Sequence, residues 1–94
     1  MLGLIWNPEA RQNVRDIIEY IADRNPAAAL RIRRLFDDCA ERLTAHPFLY
    51  RTGRVAGTRE AVVHPNYIMI YEVGINSVEI MSVIHSRHQY PPGN

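Results

Sequence analysis

The chain has 94 residues, 47% hydrophobic and 22% charged, with eleven cationic and ten acidic side chains and a formal net charge of +1. That is one small domain able to form a core, not a disordered acidic or basic tail, and a chain this short buries only about 60–65% of its unfolded surface. The charge is too small for field-driven, nonspecific nucleic-acid binding, no apolar run reaches the roughly 18 residues of a membrane span, and the start MLGLIW lacks the basic lead of a signal peptide.

From these bounds the chain is expected to be cytoplasmic, without membrane contact and with residues 1–94 forming a single domain. The lone cysteine, Cys39, has no second thiol for a disulfide or a redox pair, so it reads as packing. Every cation is arginine. Arginine grips phosphate or carboxylate in two-pronged fashion but keeps its proton, which makes it a poor proton shuttle.

Leu2 to Trp6 is apolar and too short for a helix, so it predicts an edge strand or one pinned into a sheet. Asn7-Pro8-Glu9 is a helix start, with a capping side chain, a proline where no N–H is needed, and an acid at the positive end of the dipole. Ala10, Val14, Ile17, Ile18 and Ile21 then give one apolar stripe over about four turns. The start signal recurs at Asn25-Pro26, and Ala28, Ile32, Leu35, Phe36, Cys39 and Leu43 form the stripe of a second helix that stops near His46-Pro47. A two-residue joint requires the helices to fold back as an antiparallel hairpin. Its charges balance and many sit at helical spacing, so most of them form a solvated face.

Beyond residue 50 the apolar period shortens to two. Residues 60–64, 67–73 and 78–85 read as three strands, and His64-Pro65-Asn66 and Gly74 to Ser77 as the turns of an antiparallel meander. Gly53 and Gly57 bracket Arg54, Val55 and Ala56 as a short extra strand or a tight loop. The predicted architecture is α+β: an N-terminal strand and a helix hairpin packed on a three- to four-stranded antiparallel sheet. Two apolar faces on so small a sheet imply that another molecule covers part of the second face.

Arg51, Arg54 and Arg59 fall within nine positions that hold no acid, and His85, Arg87, His88 and Tyr90 crowd the end of the last strand. One reading is a grip on an anionic target. A second is a metal-free ribonuclease in which Arg54, Arg59 and Arg87 hold a phosphodiester, His85 or His88 exchanges a proton, and Tyr90 stacks on a base. His46, His64, His85 and His88 lack zinc-site spacing, no phosphate-binding glycine loop is present, and neither metal nor cofactor is expected.

NPxAA at the second helix, HPFLYRTGRVAGTRE, NYIMIYEV and VIHSRHQYP together closely resemble the RelE/ParE superfamily of toxin–antitoxin toxins over nearly the whole chain. The resemblance implies a cognate antitoxin whose extended C-terminal segment wraps over the toxin. It also implies one of two activities: inhibition of DNA gyrase without hydrolysis, as in ParE-like members, or cleavage of messenger RNA on the ribosome, as in RelE-like members. RelE-like members carry an arginine before the central Leu-Val-Tyr and lysines ahead of that strand. Here Ile68 precedes Met69-Ile70-Tyr71, and the cations ahead are Arg54 and Arg59. The ParE-like branch is therefore favoured, with a role in plasmid stabilisation implied, Arg51, Arg54, Arg59, Arg87 and Tyr90 as target contacts and no catalytic residue. Under the RelE-like alternative, Arg54, Arg59, His85, Arg87 and Tyr90 would be catalytic.

Overall fold

A computed structural model describes residues 1–87. In chain order they form β1 (Gly3–Trp6), α1 (Pro8–Ala22), α2 (Pro26–Ala45), β2 (Arg51–Thr52), β3 (Arg59–His64), β4 (Tyr67–Val73) and β5 (Ser77–His85). Both helices start where the Asn-Pro pairs place them. The Asn7 side chain accepts from the Glu9 amide at 2.9 Å and the Asn25 side chain from the Ala28 amide at 3.1 Å, each satisfying an orphan N–H of the first turn.

The strands make one five-stranded sheet in the order β1-β5-β4-β3-β2. β2 to β5 are antiparallel neighbours, whereas β1 adds to β5 in parallel, Gly3 opposite Ser77 and Trp6 opposite Ile80. The parallel pairing follows from the helix hairpin, which carries the chain back across the sheet before the meander begins. The extra strand near the arginines is Arg51–Thr52, and the segment between Gly53 and Thr58 is a tight loop.

The hairpin roofs one face of the sheet. Ala10, Phe36, Cys39, Ala40 and Leu43 meet Ala61, Met69, Tyr71, Val78, Ile80 and Val83 in a single core. Tyr71 is fully buried, and its hydroxyl donates to the Pro47 carbonyl at 2.7 Å, tying the centre of the sheet to the end of α2. Burial pushes its phenol up to about 12, so it stays a neutral donor. Asn13 makes the matching link from α1, accepting from the Val83 amide at 3.0 Å. Burial likewise raises the Cys39 thiol, which makes that side chain inert packing.

On α2 the buried stripe is rotated from the sequence expectation. Ala29, Ala40 and Thr44 are buried alongside Phe36, Cys39 and Leu43, while Leu35 is 40% exposed. The helix touches both α1 and the sheet, so its contact surface is wider than one periodic stripe and centred differently. On the face away from the helices, Ile68 and Ile70 are buried, whereas Val62 and Ile5 remain about half exposed.

Phe36 packs edge-on against Tyr67, ring centroids 5.7 Å apart, at the contact between hairpin and sheet. Phe36→Ala is expected to cost about 3–5 kcal/mol of unfolding free energy, because the roof over β4 cannot collapse into the gap. Urea unfolding followed by tryptophan fluorescence and far-UV circular dichroism measures it.

Candidate functional site

The arginine segment is a hairpin held shut by backbone bonds. The Gly53 amide donates to the Thr58 carbonyl at 2.7 Å, and the Thr58 amide donates to the Val55 carbonyl at 3.1 Å. Gly53 lies so close to Thr58 that a Cβ would sit 3.1 Å from the Thr58 carbonyl oxygen, and Gly57 has a φ of +83°, where side chains are strained. The loop can therefore present Arg54 in one fixed orientation.

The acid missing from the nine arginine-rich positions is supplied by the next residue. Glu60 pairs with Arg51 across the hairpin, and its carboxylate is 1% exposed. One oxygen, Oε2, accepts from the Arg54 backbone N–H at 3.0 Å and from Arg54 Nε at 3.1 Å. The other, Oε1, accepts from Arg54 Nη2 at 3.3 Å and Arg51 Nη2 at 3.2 Å. Burial acts to raise the Glu60 pKa, but the Arg54 backbone and guanidinium together with Arg51 outweigh it and hold the carboxyl below its usual value. Two half-open guanidiniums are thus anchored by one hidden carboxylate, and the rim keeps a positive surplus. Glu60 was not among the site residues predicted from the sequence. Its position directly opposite Arg51 in a hairpin register is the signal that identifies it as a partner.

Arg59 belongs to the other face of the sheet, because adjacent residues of a strand point oppositely. Its Nη1 donates to the Tyr50 carbonyl at 2.8 Å, and its guanidinium carbon lies 4.9 Å from the centre of the Phe48 ring. A groove of about 300 Å³ runs alongside, between Phe48, Val55, Arg59 and Val73. Phe48 is 65% exposed, so this end of the molecule offers an apolar surface next to a cation.

His85 and Arg87 lie elsewhere. Tyr67 is flanked by His64 and His85, with ring centroids 5.8 and 5.6 Å away. Each histidine accepts a backbone N–H at Nδ1, His64 from Asn66 at 3.0 Å and His85 from Arg87 at 3.1 Å. Accepting at Nδ1 places the proton of each neutral ring on Nε2, so the free nitrogen is a donor and not a base. Below His85, a groove of about 650 Å³ opens between α1 and the ends of β4 and β5, with Glu9, Asp16, Tyr20 and Tyr67 among its walls.

The register separates the two clusters. Arg59 is opposite Tyr71 and His85 is opposite Tyr67, so they are four residue steps apart along β4, about 13 Å. Arg51 and Arg54 come together on Glu60, Arg59 faces the other way, and His85 with Arg87 occupies the far end of the sheet. Tyr90 and His88 lie outside the described residues. Among the described residues no group of three or more metal-capable side chains converges.

Because the folded Glu60 carboxyl has a depressed pKa, its contribution to stability is complete above the ordinary value of 4.5 and is lost as pH falls through the lower folded value. Glu60→Gln is expected to lower the melting temperature at neutral pH and to flatten its decline below about pH 4.5. Thermal melts of both proteins from pH 3 to 8 measure the difference.

With the geometry in place, the chain can be set beside known proteins. The family model described as ParE toxin of type II toxin-antitoxin system, parDE, matches residues 4–90. The putative toxin Y4kP of Sinorhizobium fredii is 32% identical over 87 residues, covering 92% of this chain and 90% of the relative. Toxin RelE2 of Caulobacter vibrioides is 31% identical over 88 residues, covering 92% and 97%. Among solved structures, the fold matches a chain of the chromosomal ParDE system from P. aeruginosa with a TM-score of 0.80 at 18% identity, covering 90% of this chain and 96% of that one. A chain of the toxin–antitoxin complex RelBE2 from Mycobacterium tuberculosis gives 0.60 at 18% identity, covering 89% and 96%. The chain belongs to the ParE toxin family of type II toxin–antitoxin systems, within the RelE/ParE superfamily.

Proposed function

We propose that this toxin acts without catalysis, by inhibiting DNA gyrase, and that a cognate antitoxin neutralises it by covering its exposed surface. The observation that carries the reading is the dispersal of the polar groups. Arg51 and Arg54 are spent in part on Glu60, Arg59 points to the opposite face, and His85 is about 13 Å along the sheet. General acid–base chemistry needs donor and acceptor within hydrogen-bond reach of one reacting atom, and guanidiniums do not surrender protons at neutral pH. Binding makes no such demand. Arg51, Arg54, Arg59 and Arg87, with Tyr90 in the tail, are the proposed target contacts. The family membership and the likeness to toxin chains of toxin–antitoxin systems support the antitoxin as partner.

A second reading, cleavage of messenger RNA on the ribosome, is favoured by the proximity of His64, Tyr67, His85 and Arg87 at one end of the sheet and by the relative named RelE2.

Supercoiling by purified gyrase is expected to fall as the toxin is titrated in and to recover on addition of antitoxin. Arg59→Gln and Arg87→Gln, at opposite ends of the sheet, should each weaken inhibition by roughly tenfold if both ends touch the target, a loss of about 1.4 kcal/mol apiece. New 5′ ends in primer extension on translating messages, with supercoiling untouched, would transfer the toxin to the second reading.

A further inference from the structure

The end of the sheet that carries Arg59 is also where large apolar side chains stand in solvent. Ile75 is 94% exposed in the turn between β4 and β5, and Leu49, next to the exposed Phe48, is 62% exposed. Two grooves meet there. One, of about 300 Å³, has Phe48, Val55, Arg59 and Val73 among its walls. The other, of about 540 Å³, has Met1, Pro47, Phe48, Val73 and Ile75, so the Phe48 ring divides them.

The backbone holds this surface in place. The Pro47 carbonyl accepts from the buried Tyr71 hydroxyl, and the Leu49 amide donates to the His46 carbonyl at 3.2 Å. Arg42 at the end of α2 donates to the Tyr50 hydroxyl at 3.0 Å. The turn that presents Phe48 is thus tied to the sheet on one side and to α2 on the other. The turn of Ile75 is closed by the Gly74 amide on the Ser77 carbonyl at 2.7 Å. Little backbone order remains to be lost on binding.

Charge narrows what can cover these grooves. Arg59 is the one charged side chain on their walls. Its guanidinium donates to the Tyr50 carbonyl and lies over the Phe48 ring. Among the described residues the ion pairs are those of Glu60 with Arg51 and Arg54, so no carboxylate comes within 4.0 Å of Arg59. A matching partner is apolar over most of the contact and brings one carboxylate to Arg59. A second copy of this chain would present an arginine and no acid from the same end. A bilayer has no relief with which to fill grooves on both sides of a ring. Arg59 is also one of the contacts proposed above for gyrase, so the apolar surface is continuous with that interface. An arginine against an exposed aromatic ring is the kind of pair in which interface binding energy concentrates.

We propose that this end anchors the toxin to its protein target: Phe48 and Ile75 seat in an apolar depression of gyrase, and Arg59 pairs there with a gyrase carboxylate. The inference rests on the gyrase reading and adds the apolar contact that arginines alone do not supply. The rim cations steer the encounter and set its register, while the buried ring lengthens the residence time.

Phe48→Ser and Ile75→Ser test the anchor, with Leu30→Ser as control. Leu30 is 69% exposed near the start of α2, whereas the grooves lie at its end. Inhibition of supercoiling, binding to immobilised gyrase, binding to antitoxin and melting temperature are measured for each. Phe48→Ser is expected to weaken inhibition and gyrase binding by roughly tenfold, and Ile75→Ser by roughly threefold, while Leu30→Ser matches wild type. Antitoxin affinity and melting temperature should hold in all three, and Ile75→Ser carries the comparison should Phe48→Ser melt early. Phe48→Ser with Arg59→Gln should lose less than the product of the separate losses, because ring and guanidinium act as a unit. Gyrase bound and inhibited equally by wild type, Phe48→Ser and Ile75→Ser overturns the anchor and leaves the gyrase reading standing. So does a loss confined to antitoxin binding, to a toxin dimer in sedimentation, or to pelleting with phosphatidylglycerol vesicles. Wild-type toxin that neither binds gyrase nor slows supercoiling overturns both.

Discussion

Glu60 sits 1% exposed beneath two guanidiniums, and the character of the cationic rim depends on that arrangement. A buried carboxylate is costly unless fully hydrogen-bonded, and here each oxygen has at least two donors, and Oε2 accepts one of its bonds from a backbone N–H that no side-chain motion can withdraw. The pairing fixes the β2–β3 hairpin and with it the register at which Arg59 meets Phe48 and Tyr50. The arginines are therefore oriented groups, and part of their charge is already neutralised within the fold. What reaches solvent is a modest positive surplus with defined direction, which suits the net charge of +1.

The division of the sheet into two faces sets the remaining distances. The helix hairpin occupies one face through Phe36 and Leu43 against Met69 and Tyr71. Strand alternation then sends Arg51 and Glu60 to the opposite face and Arg59 to the helix side, although they are near neighbours in sequence. In β5 the period is broken where the pairing skips Met81, and that shift brings His85 onto the face of Tyr67 at the far end. A one-residue slip in β3 would exchange these sets, and the kink between Val62 and His64 is where the register with β4 does shift.

Local signals in the sequence were sufficient for the elements themselves. The Asn-Pro starts gave both helix N-termini, and the change from a helical to a two-residue period gave β3, β4 and β5 within a residue or so. Non-local facts were not legible. Nothing in MLGLIW states that β1 pairs with β5 in parallel, because that depends on where the hairpin delivers the chain. Leu35 matches the α2 stripe yet is 40% exposed, since the contact surface of a helix touching two neighbours is set by their positions and not by its own period. The candidate site divides in the same way. Arg51, Arg54 and Arg59 were visible as a cluster by spacing, but their partition between faces and the capture of two of them by Glu60 required the register. The separation of His85 from Arg59 could not be seen before both strands were paired with β4.

The use of arginine as the sole cation constrains both functional readings. A lysine at the rim could lose its proton on burial and so shuttle hydrogen ions, whereas a guanidinium stays charged and offers planar, two-pronged hydrogen bonding. Arg54 already uses that geometry on Glu60, which costs it freedom to follow a moving phosphoryl group. His64 and His85 each accept a backbone N–H at Nδ1, which leaves Nε2 of the neutral ring as a donor. A catalytic account must therefore reorganise groups that the fold now holds apart. A binding account uses them where they are, and that difference in required movement is the physical reason for favouring it.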